Sequence, residues 1–324
     1  MTSSTRACWS AVGALVVIAV IWGVAFSLVK ETLDAVNPAS LVTWRFAVAT
    51  VVLLVARPRC VVDVPVRTLL RGSVLGCILG AGFLVHTRGM QSTSVVSAAF
   101  ITGTVVVFAP LVARIYPGRK LTGRMSCSVA VATAGLAFIS IRGLSTGIGE
   151  LLITAAALLW AVHLVGLEVW SKASDYYSLA VIQVGVVSVM AAAVQVWTEG
   201  AIGVPAQLTS AAALIALGAV ATGGAFLLLT WAQTRIDATT AAIVLTLEPV
   251  FGAATAISLG EALSLRVMVG AAAVVVATIL AARPSEPPAS SAASRSAGRS
   301  PWWSRQADGP RVARRALPLE QERS

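Results

Sequence analysis

Charge is what this 324-residue chain has least of: Asp, Glu, Lys and Arg make up only 12% of it, against 57% hydrophobic residues, and its mean hydropathy is +0.85. Too little polar surface remains to coat a water-soluble globule of this size, so the class is integral membrane. Histidine occurs only at His86 and His163, and no HExxH pair exists to suggest a zinc protease. The four cysteines, Cys8, Cys60, Cys77 and Cys127, include no CxxC and have no histidine at ligand spacing. Neither a metal site nor a disulfide framework follows from them, and they read as small packing residues. There is no DDxxD-like carboxylate cluster for a metal and diphosphate, and no base is positioned for a serine nucleophile. The absence of a GxxxxGK[ST] loop argues against ATP-driven transport by this chain. The expectation is a protein that is not an enzyme and holds no cofactor or metal. A net charge of +10 does not point to nucleic acid, because the basic residues lie between apolar runs rather than on one folded face.

What the chain has instead is apolar length. A helix needs roughly 20 apolar residues to cross a bilayer, and such runs fall at 9–29, 39–56, 70–87, 93–115, 125–142, 150–170, 178–198, 208–231, 239–260 and 266–282. The fold class expected is all-α integral membrane, with ten transmembrane helices joined by short loops. The first run follows a single Arg6 and has no small-residue cleavage site, so it reads as an uncleaved helix rather than a signal peptide. Beyond residue 282 Pro, Ser, Arg and Gly take over and the apolar pattern ends, which predicts a disordered tail over 283–324. That tail carries Trp302 and Trp303 among its arginines, a composition that suits a solvated segment better than one on anionic lipid.

Lys and Arg set the orientation. If the amino terminus is cytoplasmic, the inner segments hold Arg6, the arginines of the 57–71 loop, Arg114, Arg119, Lys120, Arg124, Lys172, Arg235 and the tail. The outer segments hold only Lys30, Arg88, Arg142 and Arg266. The reading is a multi-pass protein of the cell membrane with both termini cytoplasmic.

Five helices per half would invert the second half relative to the first. Sliding the chain by 143 residues lays Gly80, Phe83, Leu84, Thr87, Ala98 and Ala99 on Gly223, Phe226, Leu227, Thr230, Ala241 and Ala242. Each half then continues into a proline-containing helix, with Pro110 in one and Pro249 in the other. The organisation expected is a first repeat over 1–142, a second over 150–282 and the tail. In helix three, GSVLGCILG spaces Gly72, Gly76 and Gly80 four apart, a stripe that permits close approach to a neighbouring helix.

The order and spacing of IWGVAFSLVK (21–30), PASLVTWRFAVATVVLL (38–54), SAAFITGTVVVFAPLVARI (97–115) and LEPVFGAATAISLGEALSLRVMVGAAAVV (247–275) resemble the EamA-type, ten-helix branch of the drug/metabolite transporter superfamily. The resemblance covers 1–282. It implies two inverted five-helix repeats around a central cavity, cytoplasmic termini, and movement of small metabolites, commonly outward. Small four-helix relatives couple to protons through a glutamate in their first helix. Here the run 9–29 holds no acid, so that mechanism does not carry over. Proton coupling through another residue, and a homodimer, both stay open. Of the other classes, a structural or partner-binding membrane protein has no positive signal except the tail, and a membrane-embedded enzyme has less.

Within LTLEPVFGAATAISLGEALS (245–264), Glu248 and Pro249 stand side by side in an apolar helix. A charge at mid-bilayer costs at least ~2.5 kcal/mol, so Glu248 is expected to face a cavity or a partner. Pro249 has no N–H and leaves the Leu245 carbonyl without its usual partner. Two readings stand: Glu248 binds a substrate amino group or a proton beside a functional bend, or it only ties helices together. Arg45 in helix two snorkels outward as an anchor, binds a carboxylate or pairs with an acid. Trp22 and Phe26, one turn apart, line a cavity or pack. His163 touches substrate or holds structure, and Thr246, with Thr102, Thr104 and Gln183, supplies hydrogen bonds. His86 and Arg88 are expected at the interface and Glu168 to face a loop. The candidate substrate-binding set is therefore Glu248, Arg45, Trp22, Phe26, His163 and Thr246, with Pro249 and Pro110 as helix kinks.

Overall fold

Every apolar run is helical over its described residues but for a few at its ends and breaks, and no strand occurs among the described residues. The structure is a computed structural model that describes residues 3–93, 95–115, 122–140, 147–203, 208–258 and 265–282. The expected tail with Trp302 and Trp303, the loop holding Arg119 and Lys120, and Arg142 lie outside the described residues.

The first span is α1 (Ser3–Leu33) and the second α2 (Pro38–Ala56), followed by a 3-10 turn (Pro58–Val61). The third is α3 (Val66–Met90), and the fourth is split into α4 (Val95–Gly103) and α5 (Val105–Ala113). Helices α6 (Gly123–Ser140), α7 (Ile148–Ser171) and α8 (Tyr176–Glu199) form the next three. The eighth runs through α9 (Leu208–Ala216), a π-helical stretch (Leu217–Gly224) and α10 (Ala225–Gln233). The ninth is split into α11 (Ala238–Leu245) and α12 (Leu247–Ser258), and α13 (Leu265–Ala282) is the tenth. Six of these spans, starting with Arg6–Leu33, are long and apolar enough to cross a bilayer unbroken, and three shorter apolar helices include Ala238–Gly252.

Local chemistry fixes the ends. Asn37, Asp175 and Asp237 each accept a hydrogen bond from the backbone N–H three residues on, and Pro38 occupies the first turn of α2, where a missing N–H costs nothing. Gly200 closes α8 at φ 76°, a left-handed cap that a Cβ would strain. The outward faces are apolar: Val55, Val189 and Trp197 are 76, 71 and 90% exposed, as lipid-facing side chains would be.

The glycine stripe does what close approach requires. A Cβ on Gly72 would sit 2.7 Å from Ile182, and one on Gly76 would sit 2.7 Å from Val186, so α3 lies directly on α8. Gly23 likewise lets α1 meet α12 backbone to backbone, its absent Cβ falling 2.8 Å from the Glu248 carbonyl. That crossing sets the depth of Glu248.

The breaks in the fourth and ninth spans follow one pattern. At each, a threonine hydroxyl donates to the carbonyl three residues back, Thr104 to Ile101 and Thr246 to Ile243, both at 2.5 Å. The threonine N–H bonds the same carbonyl, at 3.0 and 3.1 Å, so the turn tightens and the α-ladder stops. In the ninth span the break adjoins the Leu245 carbonyl that Pro249 leaves without its usual partner. In the fourth, α5 continues through Pro110 and the break lies upstream at Thr104.

Candidate functional site

A cavity of about 110 Å³ lies at the centre of the helices. At roughly 10–15 Å³ per water on this scale, it admits a solute of around eight to ten heavy atoms without rearrangement. Spans one, two, three, four, six, eight and nine all contribute walls, so both halves of the chain build it. Trp22, Phe26, Arg45, His163, Thr246 and Glu248, drawn from spans one, two, six and nine, all line it.

Five aromatic side chains, Trp22, Phe26, Phe83, Trp160 and Phe226, stand with two histidines in a largely apolar wall. Trp22 and Phe226 have ring centroids 5.6 Å apart, Phe83 and Trp160 5.0 Å, and His86 and Trp160 4.8 Å. Phe83 and Phe226, which the 143-residue shift superposes, meet at 5.9 Å with an edge-on geometry.

Arg45 does not snorkel; it is 6% exposed. Its Nε donates to Thr222 Oγ1 at 2.5 Å and its Nη2 to the Ala221 carbonyl at 3.3 Å, while the guanidinium lies 5.2 Å from the Phe83 ring centre. The π-helical stretch makes this possible. Thr222 Oγ1 donates to the Leu217 carbonyl five residues back at 2.9 Å, and the Ala221 carbonyl accepts from Trp22 Nε1 at 2.8 Å as well as from Arg45. Gly218, whose Cβ would fall 2.6 Å from Val48, brings that stretch against α2. Spans one, two and eight are thereby tied at one backbone oxygen.

Glu248 is different. It is 9% exposed and lines the cavity, yet its side chain makes no hydrogen bond and no ion pair, with Arg45 or otherwise, among the described residues. A carboxylate and a guanidinium thus share one enclosure without neutralising each other by direct contact.

His163 is held by a buried relay. Its Nε2 lies 2.7 Å from Gln183 Oε1, Gln183 Nε2 donates to Thr230 Oγ1 at 3.0 Å, and Thr230 Oγ1 donates to the Phe226 carbonyl at 2.7 Å. Read back from that carbonyl, the chain assigns the Nε2 proton to His163. His86, expected at the interface, is buried on the cavity wall, with Nε2 3.1 Å from Thr102 Oγ1, because α3 runs on to Met90. Arg88 is exposed and bonds Gln91 at 2.5 Å. Glu168, expected to face a loop, is 3% exposed: its Oε2 accepts from the Ala238 N–H at 3.0 Å, capping α11, and its Oε1 pairs with Lys172 at 3.2 Å. Thr104 and Gln183 act within the helix framework rather than on the cavity wall.

One motif escaped the sequence reading: Gly143, Ser145 and Gly147 have GxSxG spacing. Of these only Gly147 is among the described residues.

A many-helix membrane protein with a solute-sized, mostly apolar cavity between its halves has the architecture of a transporter. The chain belongs to the EamA-like transporter family, which matches residues 9–141 and again residues 147–283. It is 28% identical over 241 residues to an uncharacterized transporter of Archaeoglobus fulgidus, covering 73% of this chain and 74% of that one. A protein known from its crystal structure shares the fold at a TM-score of 0.69 with 18% identity, over 84% of this chain and 96% of that one.

Proposed function

We propose that this protein is a secondary transporter that exports a small metabolite across the plasma membrane by alternating access, its two five-helix repeats rocking about the central cavity. The single observation that carries this reading is the unpaired Glu248 carboxylate facing a cavity walled by both halves. A substrate ammonium meets Glu248, its apolar part lies against Trp22, Phe83, Trp160 and Phe226, and a carboxylate, where present, reaches Arg45. That pattern favours an amino-acid-like or amphipathic drug-like solute. Proton coupling, on this reading, also runs through Glu248.

Counterflow of a radiolabelled solute panel in proteoliposomes tests the proposal. Saturable exchange of at least one amine-bearing solute is expected. No exchange of any of them, by protein that is folded and reconstituted, would favour a structural role.

The repeats are inverted on this reading, so both termini and the loops 57–71 and 114–124 are cytoplasmic. In a background lacking Cys8, Cys60, Cys77 and Cys127, a single cysteine placed at Arg119 is expected to resist an impermeant thiol reagent in intact cells. Labelling from outside would overturn the orientation and the inversion with it.

A further inference from the structure

A second concavity, of about 440 Å³, shares no lining residue with the central cavity and lies between the loop that joins α2 to α3 and the one that joins α7 to α8. Its frame is built rigidly. Ser178 Oγ donates to the Cys60 carbonyl at 2.6 Å, Tyr177 Oη donates to the Leu53 carbonyl at 2.8 Å, and Arg71 Nη1 donates to the Ala173 carbonyl at 3.3 Å and to Ser174 Oγ at 3.4 Å. Arg57 pairs with Asp175 at 3.5 Å, and Asp175 also caps α8 through Ser178, so that pair is spoken for.

The remaining groups are not. The amino terminus of α3 opens at this concavity behind Pro65, which provides no side-chain cap; the N–H groups of Thr68 and Leu69 both turn to the Pro65 carbonyl, and those of Val66 and Arg67 have no partner among the described residues. Thr68 lines the concavity and is 5% exposed as a residue, and its side chain makes no hydrogen bond among the described residues. Arg59 lines it too, and Arg67 stands in the first turn of α3; both are exposed and neither is paired. Uncapped helix N–H groups, the unpartnered hydroxyl of the largely buried Thr68 and two exposed guanidinium groups form a recognition set for a phosphate oxyanion. Against the four arginines 57, 59, 67 and 71 stand two acids, Asp63 and Asp175, so the surroundings are net positive.

Around this polar set the surface is apolar: Val62, Val66 and Leu70 are 60, 70 and 61% exposed. A free phosphate has no use for that rim, whereas the acyl chains of a lipid cover it. We infer that the concavity at the start of α3 is a binding site for the phosphodiester headgroup of an anionic phospholipid, held by Arg59, Arg67, Thr68 and the α3 N-terminus. The site docks a lipid at the hairpin joining the second and third spans, and its assignment does not depend on what the central cavity transports.

Native mass spectrometry of the full chain released from micelles, with phosphatidylglycerol and phosphatidylcholine supplied equally, reads it out. Phosphatidylglycerol is expected to be retained in preference, and Arg59→Gln with Arg67→Gln to cut that retention about tenfold. Thr68→Val should cut it less. Arg235→Gln is the control for general charge, since Arg235 is exposed but stacked on Trp231 at 4.0 Å, and it should change nothing. Equal retention of the two lipids, or equal loss in the Arg235→Gln control, would overturn the site. Displacement of the lipid by inorganic phosphate at matching concentration would reassign it to free phosphate and overturn the lipid. If the double variant fails to fold, Arg59→Gln alone is read on the same scale.

Discussion

Glu248→Gln protein, reconstituted at matched density, is expected to transport at least about tenfold more slowly than the parent, the size of effect that a loss of ~1.4 kcal/mol produces. The amide keeps the shape of the carboxylate and removes its charge. Because Glu248 lines the cavity and makes no hydrogen bond or ion pair among the described residues, no structural contact is lost with that charge. Removing an unpaired charge from the span instead relieves a cost of ~2.5 kcal/mol or more. The thermal midpoint of Glu248→Gln should therefore hold or rise while transport falls. The tie-rod reading predicts the reverse, a lower midpoint with transport retained in whatever folds. Parent-like transport by a well-folded Glu248→Gln variant would end the substrate or proton role of this residue.

The spans were legible because bilayer-crossing helices announce themselves by apolar length, and the described residues of each run are predominantly helical. The cavity-lining residues were legible for a related reason. A charged or polar group inside a span is too costly to face lipid, so Arg45, His163, Thr246 and Glu248 all point inward whatever their roles. Phe83 and Phe226 carried a further signal, since they coincide under the repeat shift and then meet across the cavity.

What the sequence hid depends on helix ends and on backbone irregularity. His86 read as interfacial only because the apolar run stops at 87, whereas α3 continues through Thr87, Arg88 and Gly89 to Met90. Glu168 read as a loop charge because its partner, the Ala238 N–H, is 70 residues away. The π-helical stretch is subtler. Gly218, Gly223, Gly224 and Thr222 permit it, but its register is set by tertiary contact with α2 and by the two donors on Ala221. The break at Thr104 was hidden as well, because a threonine within an apolar run does not show in sequence whether its hydroxyl will tighten the turn.

Arg45 carries the second large expectation, and the network around it separates two roles that a simple knockout would confuse. Of the guanidinium donors, Nε is committed to Thr222 Oγ1 and one Nη2 donor to Ala221, which leaves further donors for a substrate carboxylate. Arg45→Gln removes all of this and is expected to lower transport by about tenfold or more, given ~1.5–3 kcal/mol for a hydrogen bond to a charged group. Arg45→Lys keeps the charge but cannot serve Thr222 and a carboxylate in the same fork, so its loss should be intermediate. Thr222→Val is the discriminating variant: it takes away the hydroxyl partner and leaves the guanidinium in the cavity. If Arg45 only anchors the π-helical stretch, Thr222→Val reproduces the loss seen in Arg45→Gln, and amino acids compete for transport no better than their amides. Carboxylate recognition predicts instead that Thr222→Val retains most transport, that amino acids outcompete their amides in the parent and in Thr222→Val, and that this preference disappears only in Arg45→Gln. Equal competition by acid and amide in the parent would remove the zwitterion from the proposed substrate class while leaving membership of the transporter family untouched, because that rests on the match over both halves of the chain.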